Sequence, residues 1–227
     1  MCGRFALPWP SKNVQEHFML PEIPDFAPRY NIAPSQSVPV IRRLSEKRPR
    51  QLDMLRWGLV PHWAKDLKIG YKMINARAET ITDKPSFRAP FKRQRCLVAA
   101  GGFFEWQHAG NAKQPFYIHL KDGSLIGFAG LWESWHGPAG ETIESCTIIT
   151  TGANKLVQEI HDRMPVIIQP ENYDTWLGLH TDQAALRQLL MPYPAEEMVA
   201  YRVSSKVNSP KHDTPDCLLQ TRATTLF

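Results

Sequence analysis

The chain opens Met1-Cys2-Gly3-Arg4-Phe5. Removal of Met1, which a small second residue permits, would leave an amine and a thiol on adjacent carbons of Cys2. That pair is a distinctive reagent for aldehydes. The amine, with a reference pKa of roughly 7.7–8.0, is substantially neutral near physiological pH and condenses to an imine. The neighbouring thiolate then attacks the imine carbon and closes a five-membered thiazolidine, a closure that no lysine imine can make. By itself, a Met-Cys start also fits an incidental residue on a frayed terminus.

Other polar side chains could share in such chemistry. Glu105 lies in Phe-Phe-Glu-Trp, where an acid is costly to bury without a partner. It is either an edge-strand residue facing water or a buried acid of raised pKa that shuttles protons for the Cys2 amine. His161 follows a helix-forming stretch and precedes Asp162-Arg163, so it caps the helix or acts as a proton donor. Asn75, between Ile74 and Ala76, is a neutral amide suited to a strand ladder or to holding a substrate. Arg4, Arg77 and Arg163 lie within three residues of Cys2, Asn75 and His161 respectively. Guanidinium groups so placed can grip phosphate oxygens in bidentate fashion, or simply solvate a surface.

Composition sets the limits around these residues. The 227 residues are 43% hydrophobic, enough for one core of full size. No Gly/Ser linker, low-complexity run or fixed-period repeat divides them, so a single domain over 1–227 is expected. Lysine and arginine outnumber acids 27 to 22, a net charge of +5, which tilts toward a nucleic-acid partner without requiring one. None of the four cysteines forms a C-x-x-C pair and no H-E-x-x-H occurs among the eight histidines. No structural zinc is therefore expected, and no cofactor. Cys96 and Cys146 sit in apolar runs and read as core thiols. A basic segment followed by an apolar stretch is missing at the start, and no apolar run approaches the ~20 residues that span a bilayer. A cytoplasmic protein, nucleoid-associated in a bacterium, is expected, with no membrane partner and as a monomer.

The elements that must position the reactive residues are mostly short strands. Val38–Arg42, Leu52–Trp57, Cys96–Ala100, Phe103–Trp106, Phe116–Leu120, Ile126–Trp132, Cys146–Thr151, Pro165–Ile168 and Met198–Val203 are β-branched or aromatic-rich. Gly, Pro, Asn or Asp bound most of them. Helices are predicted at Ser11–Met19, Asn154–His161 and Asp182–Leu190, with a helical turn after Pro170 around Trp176. Strands without regular β-α alternation predict an α+β fold: curved, mostly antiparallel sheets, a barrel-like core and a few flanking helices.

The order of motifs along the chain resembles the SRAP family. It runs from the Met-Cys-Gly-Arg-Phe start through Arg29-Tyr-Asn-Ile-Ala-Pro34, Trp57-Gly-Leu-Val-Pro-His-Trp63 and Ile74-Asn-Ala-Arg-Ala-Glu-Thr80. It continues through Arg95-Cys-Leu-Val-Ala-Ala-Gly-Gly-Phe-Phe-Glu-Trp106, Gln114-Pro-Phe-Tyr117, Phe128-Ala-Gly-Leu-Trp132, Thr147-Ile-Ile-Thr-Thr151, Ile160-His-Asp-Arg-Met-Pro165 and Val203-Ser-Ser-Lys-Val-Asn208. The resemblance implies capture of the ring-opened, aldehydic form of an abasic sugar in single-stranded DNA, with Cys2, Asn75, Glu105 and His161 as catalytic residues. It implies DNA contacts at Arg4, Asn31, Pro34, Trp63, Arg77, Thr150 and Arg163. It further implies autocatalytic removal of Met1 and a lyase side activity. Pro34 and Trp63 would act as wedge and stacking platform, although tryptophan is usually largely buried and core packing rivals that role for Trp63. Where some members carry a second tryptophan, this chain has Ala64.

Two other readings fit parts of the sequence. An amidohydrolase with an N-terminal cysteine nucleophile also starts Met-Cys-Gly, and a glutaminase assay would reveal it. A non-catalytic single-strand binder would bind intact and abasic DNA equally and leave no adduct after denaturation.

Overall fold

The computed structural model describes residues 2–110 and 112–221. Its first half comprises β1 (Phe5–Leu7), α1 (Ser11–His17), β2 (Arg29–Ile32), β3 (Ser37–Arg42), β4 (Gln51–Trp57), β5 (Asn75–Arg77), α2 (Pro85–Arg93) and β6 (Arg95–Ala100). There follow β7 (Gly102–Ala109), β8 (Ala112–Leu120), β9 (Ile126–His136), β10 (Thr142–Gly152), α3 (Lys155–Gln158), β11 (Arg163–Pro165) and β12 (Ile167–Ile168). The chain ends in α4 (Tyr173–Leu177), α5 (Gln183–Gln188) and β13 (Met198–Arg202), with short 3-10 turns between. The fold is α+β and mostly sheet, as expected.

The strands form two sheets. One is antiparallel, in the order β13-β8-β7-β1-β2. The other runs β10-β4-β3-β6-β9 and returns to β10, because β9 and β10 also pair as a hairpin. Five strands thus close into a barrel, with β5, β11 and β12 added along β10 and β9. Closure depends on Gly130, where a Cβ would lie 2.9 Å from Cys96 Sγ and 2.9 Å from the Thr147 carbonyl. The barrel interior and the face of the first sheet share one apolar cluster that includes Phe5, Trp57, Val98, Phe103, Phe128 and Ile148. The Cys96 and Cys146 thiols are both buried and free.

The differences from the predicted elements have local causes. β1, β2 and β5 were not predicted; they are three or four residues long and too short to show a period. Pro165–Ile168 is two strands, because Val166 turns the chain from β10 to β9: its N–H donates to the Ile149 carbonyl and its carbonyl accepts from Ala129 N–H. Helix α2 was missed because its sequence holds two prolines. Pro85 starts the helix, where no N–H is needed, and Pro90 sits inside it. The predicted Asn154–His161 helix is only Lys155–Gln158, with Asn154 capping it by accepting from Val157 N–H at 2.9 Å. Among the described residues no helix is long and apolar enough to cross a membrane.

Candidate active site

Strand register brings Cys2 to its neighbours. β1 pairs with β7 so that Phe5 faces Phe103, and Phe104 N–H donates to the Arg4 carbonyl at 2.9 Å. Extending that antiparallel register carries residues 2 and 3 past Glu105. Along β7, Phe103 and Glu105 share one face while Phe104 and Trp106 share the other. Glu105 is therefore turned toward the barrel and buried, with its side chain only 4% exposed. Burial pushes its carboxyl up to about 7, so it both holds and releases a proton near neutral pH. Cys2 is buried as well. Burial, and then the Glu105 charge, raise its thiol far above the ordinary range. At neutral pH the sulfur is a thiol and not the thiolate the sequence suggested, so its proton must leave as it attacks.

His161 comes from the other sheet, two residues before β11. Its Nε2 lies 4.0 Å from Glu105 Oε2, and its side chain is 25% exposed. The Nδ1 atom lies 3.0 Å from the Arg163 N–H and 2.9 Å from an Asp162 carboxylate oxygen. It cannot accept from one and donate to the other at once. Burial lowers the His161 pKa, which keeps the ring neutral, and the amide has no freedom to turn away. With Nδ1 assigned as the acceptor for the Arg163 N–H, the proton of the neutral ring is on Nε2, which faces Glu105. Glu105 and His161 line a cleft of about 310 Å³ with Trp106, His108, Lys113 and Asn208. Trp106 Nε1–H donates to Asn208 Oδ1 at 2.7 Å. These four lining residues were not singled out from the sequence, although Trp106 and Asn208 end two of its motifs.

Four more of the expected residues, Asn75, Arg77, Thr150 and Arg163, gather around the end of β10. β5 runs parallel to it, placing Asn75 beside Ile148 and Arg77 beside Thr150, and β11 sets Arg163 opposite Gly152. Asn75 Nδ2 donates weakly to the Ile148 carbonyl at 3.5 Å, while its Oδ1 is buried with no hydrogen-bond partner among the described residues. Arg77 is exposed. Arg163 forks onto Glu79 at 2.6 and 2.9 Å and donates to the Thr150 carbonyl at 2.7 Å. That pairing holds the Glu79 carboxyl below its usual range. Thr150 itself is buried. Arg4 donates to Asn31 Oδ1 at 2.8 Å and to the Val207 carbonyl at 2.7 Å, and lies over the Trp106 ring. Asn31 is buried; its amide donates to the Val207, Ser209 and His212 carbonyls. Pro34 is half-buried in a turn, and Trp63 is 50% exposed, so Trp63 is a surface residue and not part of the core. Met1 lies outside the described residues.

A closed barrel and a second sheet, with a thiol, a carboxyl and an imidazole gathered where the two meet, describe a class of α+β protein built around its own N-terminal segment. The chain belongs to the SOS response associated peptidase (SRAP) family, whose pattern it matches over residues 1–210. It is 49% identical over 224 residues to the abasic site processing protein YoqW of Bacillus subtilis (strain 168), covering 96% of this chain and 99% of that protein. It is 34% identical to the abasic site processing protein HMCES of Xenopus tropicalis, over 85% of this chain and 66% of that one. A crystal structure of a Bacteroides thetaiotaomicron protein superimposes with a TM-score of 0.86 at 29% identity, covering 97% of this chain and all of that one.

Proposed function

We propose that this protein processes abasic sites in single-stranded DNA by closing a covalent thiazolidine between Cys2 and the ring-opened sugar. One observation carries the reading: the buried Cys2 thiol lies close enough to feel the Glu105 charge, and Glu105 lines a cleft with His161, 4.0 Å away. The relatives named for abasic site processing support it. Release of Met1 must come first, a hydrolysis of one amide bond and hence a peptidase act. The N–H of His161 then donates to the sugar ring oxygen and favours the open aldehyde, while the Asn75 amide holds the sugar.

The Cys2 amine adds to the aldehyde carbon. Glu105 takes a proton from that nitrogen and returns it to the departing hydroxyl, so one water leaves and an imine remains. The sulfur adds to the imine carbon as its proton passes to the imine nitrogen. The ring closes with no electron gained or lost. Arg77 meets a backbone phosphate, with Arg4 and Arg163 beside it, while Asn31 orients Arg4 and Thr150 orients Arg163. Pro34 and Trp63 separate and stack the bases flanking the lesion. A single strand suits this chemistry, because the sugar must leave the stack to reach Cys2. The cross-link shields the lesion from cleavage; if the ring failed to close, the imine would permit β-elimination, a lyase act. The described residues act as one domain, a monomer in the cytoplasm.

Intact mass after mixing with an oligonucleotide carrying one abasic site tests this. The expected product is protein lacking Met1 plus DNA minus one water, stable to heat and indifferent to borohydride. Cys2→Ala should give only an imine that borohydride traps. A heat-stable adduct of wild-type yield from Cys2→Ala would place the attachment elsewhere and sink the mechanism.

A further inference from the structure

The segment between Trp63 and Asn75 carries an exposed aromatic residue that nothing above uses. Tyr71 is 61% exposed. The Arg56 guanidinium lies over its ring, 5.6 Å from the centroid. The same guanidinium donates to the Ser35 carbonyl at 3.0 Å, so Pro34, Ser35, Arg56 and Tyr71 form one continuous row. With one ring face on Arg56, the other faces water.

The platform is fixed in place. Residues Leu67–Lys72 form a 3-10 turn whose start is capped by the Asp66 side chain, which accepts from Lys68 N–H at 2.9 Å. Gly70 packs directly on Gly58: a Cβ on either would lie 2.7 Å from the carbonyl oxygen of the other. Leu59 N–H donates to the Met73 carbonyl at 3.1 Å, pinning the exit. Four residues on is Asn75, within about 14 Å along the chain. Along the same segment Lys65, Lys68 and Lys72 are exposed, with one acid, Asp66, among them. A rigid, open aromatic face among cations beside the lesion site is suited to a polyanion with flat, apolar bases, and poorly suited to a basic protein partner.

We propose that Tyr71, seated on Arg56, is a stacking platform for one nucleobase of the single strand, a few nucleotides from the captured sugar. This rests on the reading of the site as one for single-stranded DNA. Stacking of a base on an aromatic ring tolerates any base and is worth about tenfold or more in affinity. The test uses an unreactive strand, with the abasic sugar replaced by a reduced analogue that has no aldehyde, and further strands in which each flanking base in turn is removed. Affinities are measured for wild type, Tyr71→Phe, Tyr71→Leu and Tyr71→Ala, with thermal melting as a check of folding. Loss of one particular base should weaken wild type and Tyr71→Phe about tenfold and leave Tyr71→Leu and Tyr71→Ala unaffected. If the variants lose affinity equally for every strand, or lose none, Tyr71 is not a platform. Wild-type adduct formation on the reactive strand is measured alongside. If wild type forms no adduct, the covalent reading fails while the stacking result on unreactive strands stands on its own.

Discussion

Glu105 is held where its charge is least welcome, and that sets two measurable properties. Its folded pKa lies at about 7 against an ordinary 4.5, because burial penalises the carboxylate. The native state therefore keeps this proton between those values while the unfolded state has lost it, and stability falls as pH rises through that window. Glu105→Gln cannot titrate, so its melting temperature should gain on wild type from pH 5 to pH 8. A gap that stays constant across that range would refute the raised pKa. The same substitution should slow cross-linking by about 10²–10⁴. Arg77, exposed beside Thr150, is the phosphate contact of the proposed function. Arg77→Ala should weaken lesion-bearing and plain strands alike and flatten the salt dependence by about 0.7 in log–log slope; an unchanged slope would show that no phosphate touches it. Cys2, Asn75, Glu105 and His161 became candidates because each sits inside a motif that carries the SRAP resemblance. That Arg163 would pair with Glu79 was not readable, since 84 residues separate them. Nor could sequence decide whether Trp63 lay in the core, because a tryptophan in a loop looks the same in both settings.

Elements rather than residues decide whether those side chains meet. The three residues of β1 hold Cys2 against β7, and β5, equally short, hands Asn75 and Arg77 to β10. Both escaped the sequence reading because their stability comes from partners far along the chain and not from local pattern. Longer runs such as Ile126–His136 were legible through β-branched and aromatic content, though only the structure extends that strand to eleven residues. Gly58 bears on this scale as well. Its φ is +126° and Gly70 leaves it no room for a side chain. Gly58→Ala should lower stability by about 1–3 kcal/mol, read as a shifted denaturant midpoint at constant slope. Gly152→Ala, with ordinary φ and open space around it, should change stability by less than about 0.5 kcal/mol. Equal midpoints for the two variants would contradict the strain at Gly58.

At the scale of the whole molecule, the barrel and the second sheet share one apolar cluster, so neither can lose its packing alone. Urea unfolding followed by tryptophan fluorescence and by far-ultraviolet dichroism should give coincident single transitions; separated midpoints would mean that the sheets unfold independently. A barrel-like core was expected from the sequence, but not the pairing that closes it: β10 lies parallel to β4, with Cys146 beside Trp57, 89 residues away. That pairing pattern has a consequence in time. A ribosome adds about 5–20 residues per second, and about 160 residues lie between Cys2 and His161. Cys2 therefore emerges roughly 8–30 s before His161. Until β10 and β11 arrive, the nascent chain carries Cys2 without a cleft around it. In the proposed mechanism, the help that Glu105 and His161 give Cys2 thus waits for completion of the fold.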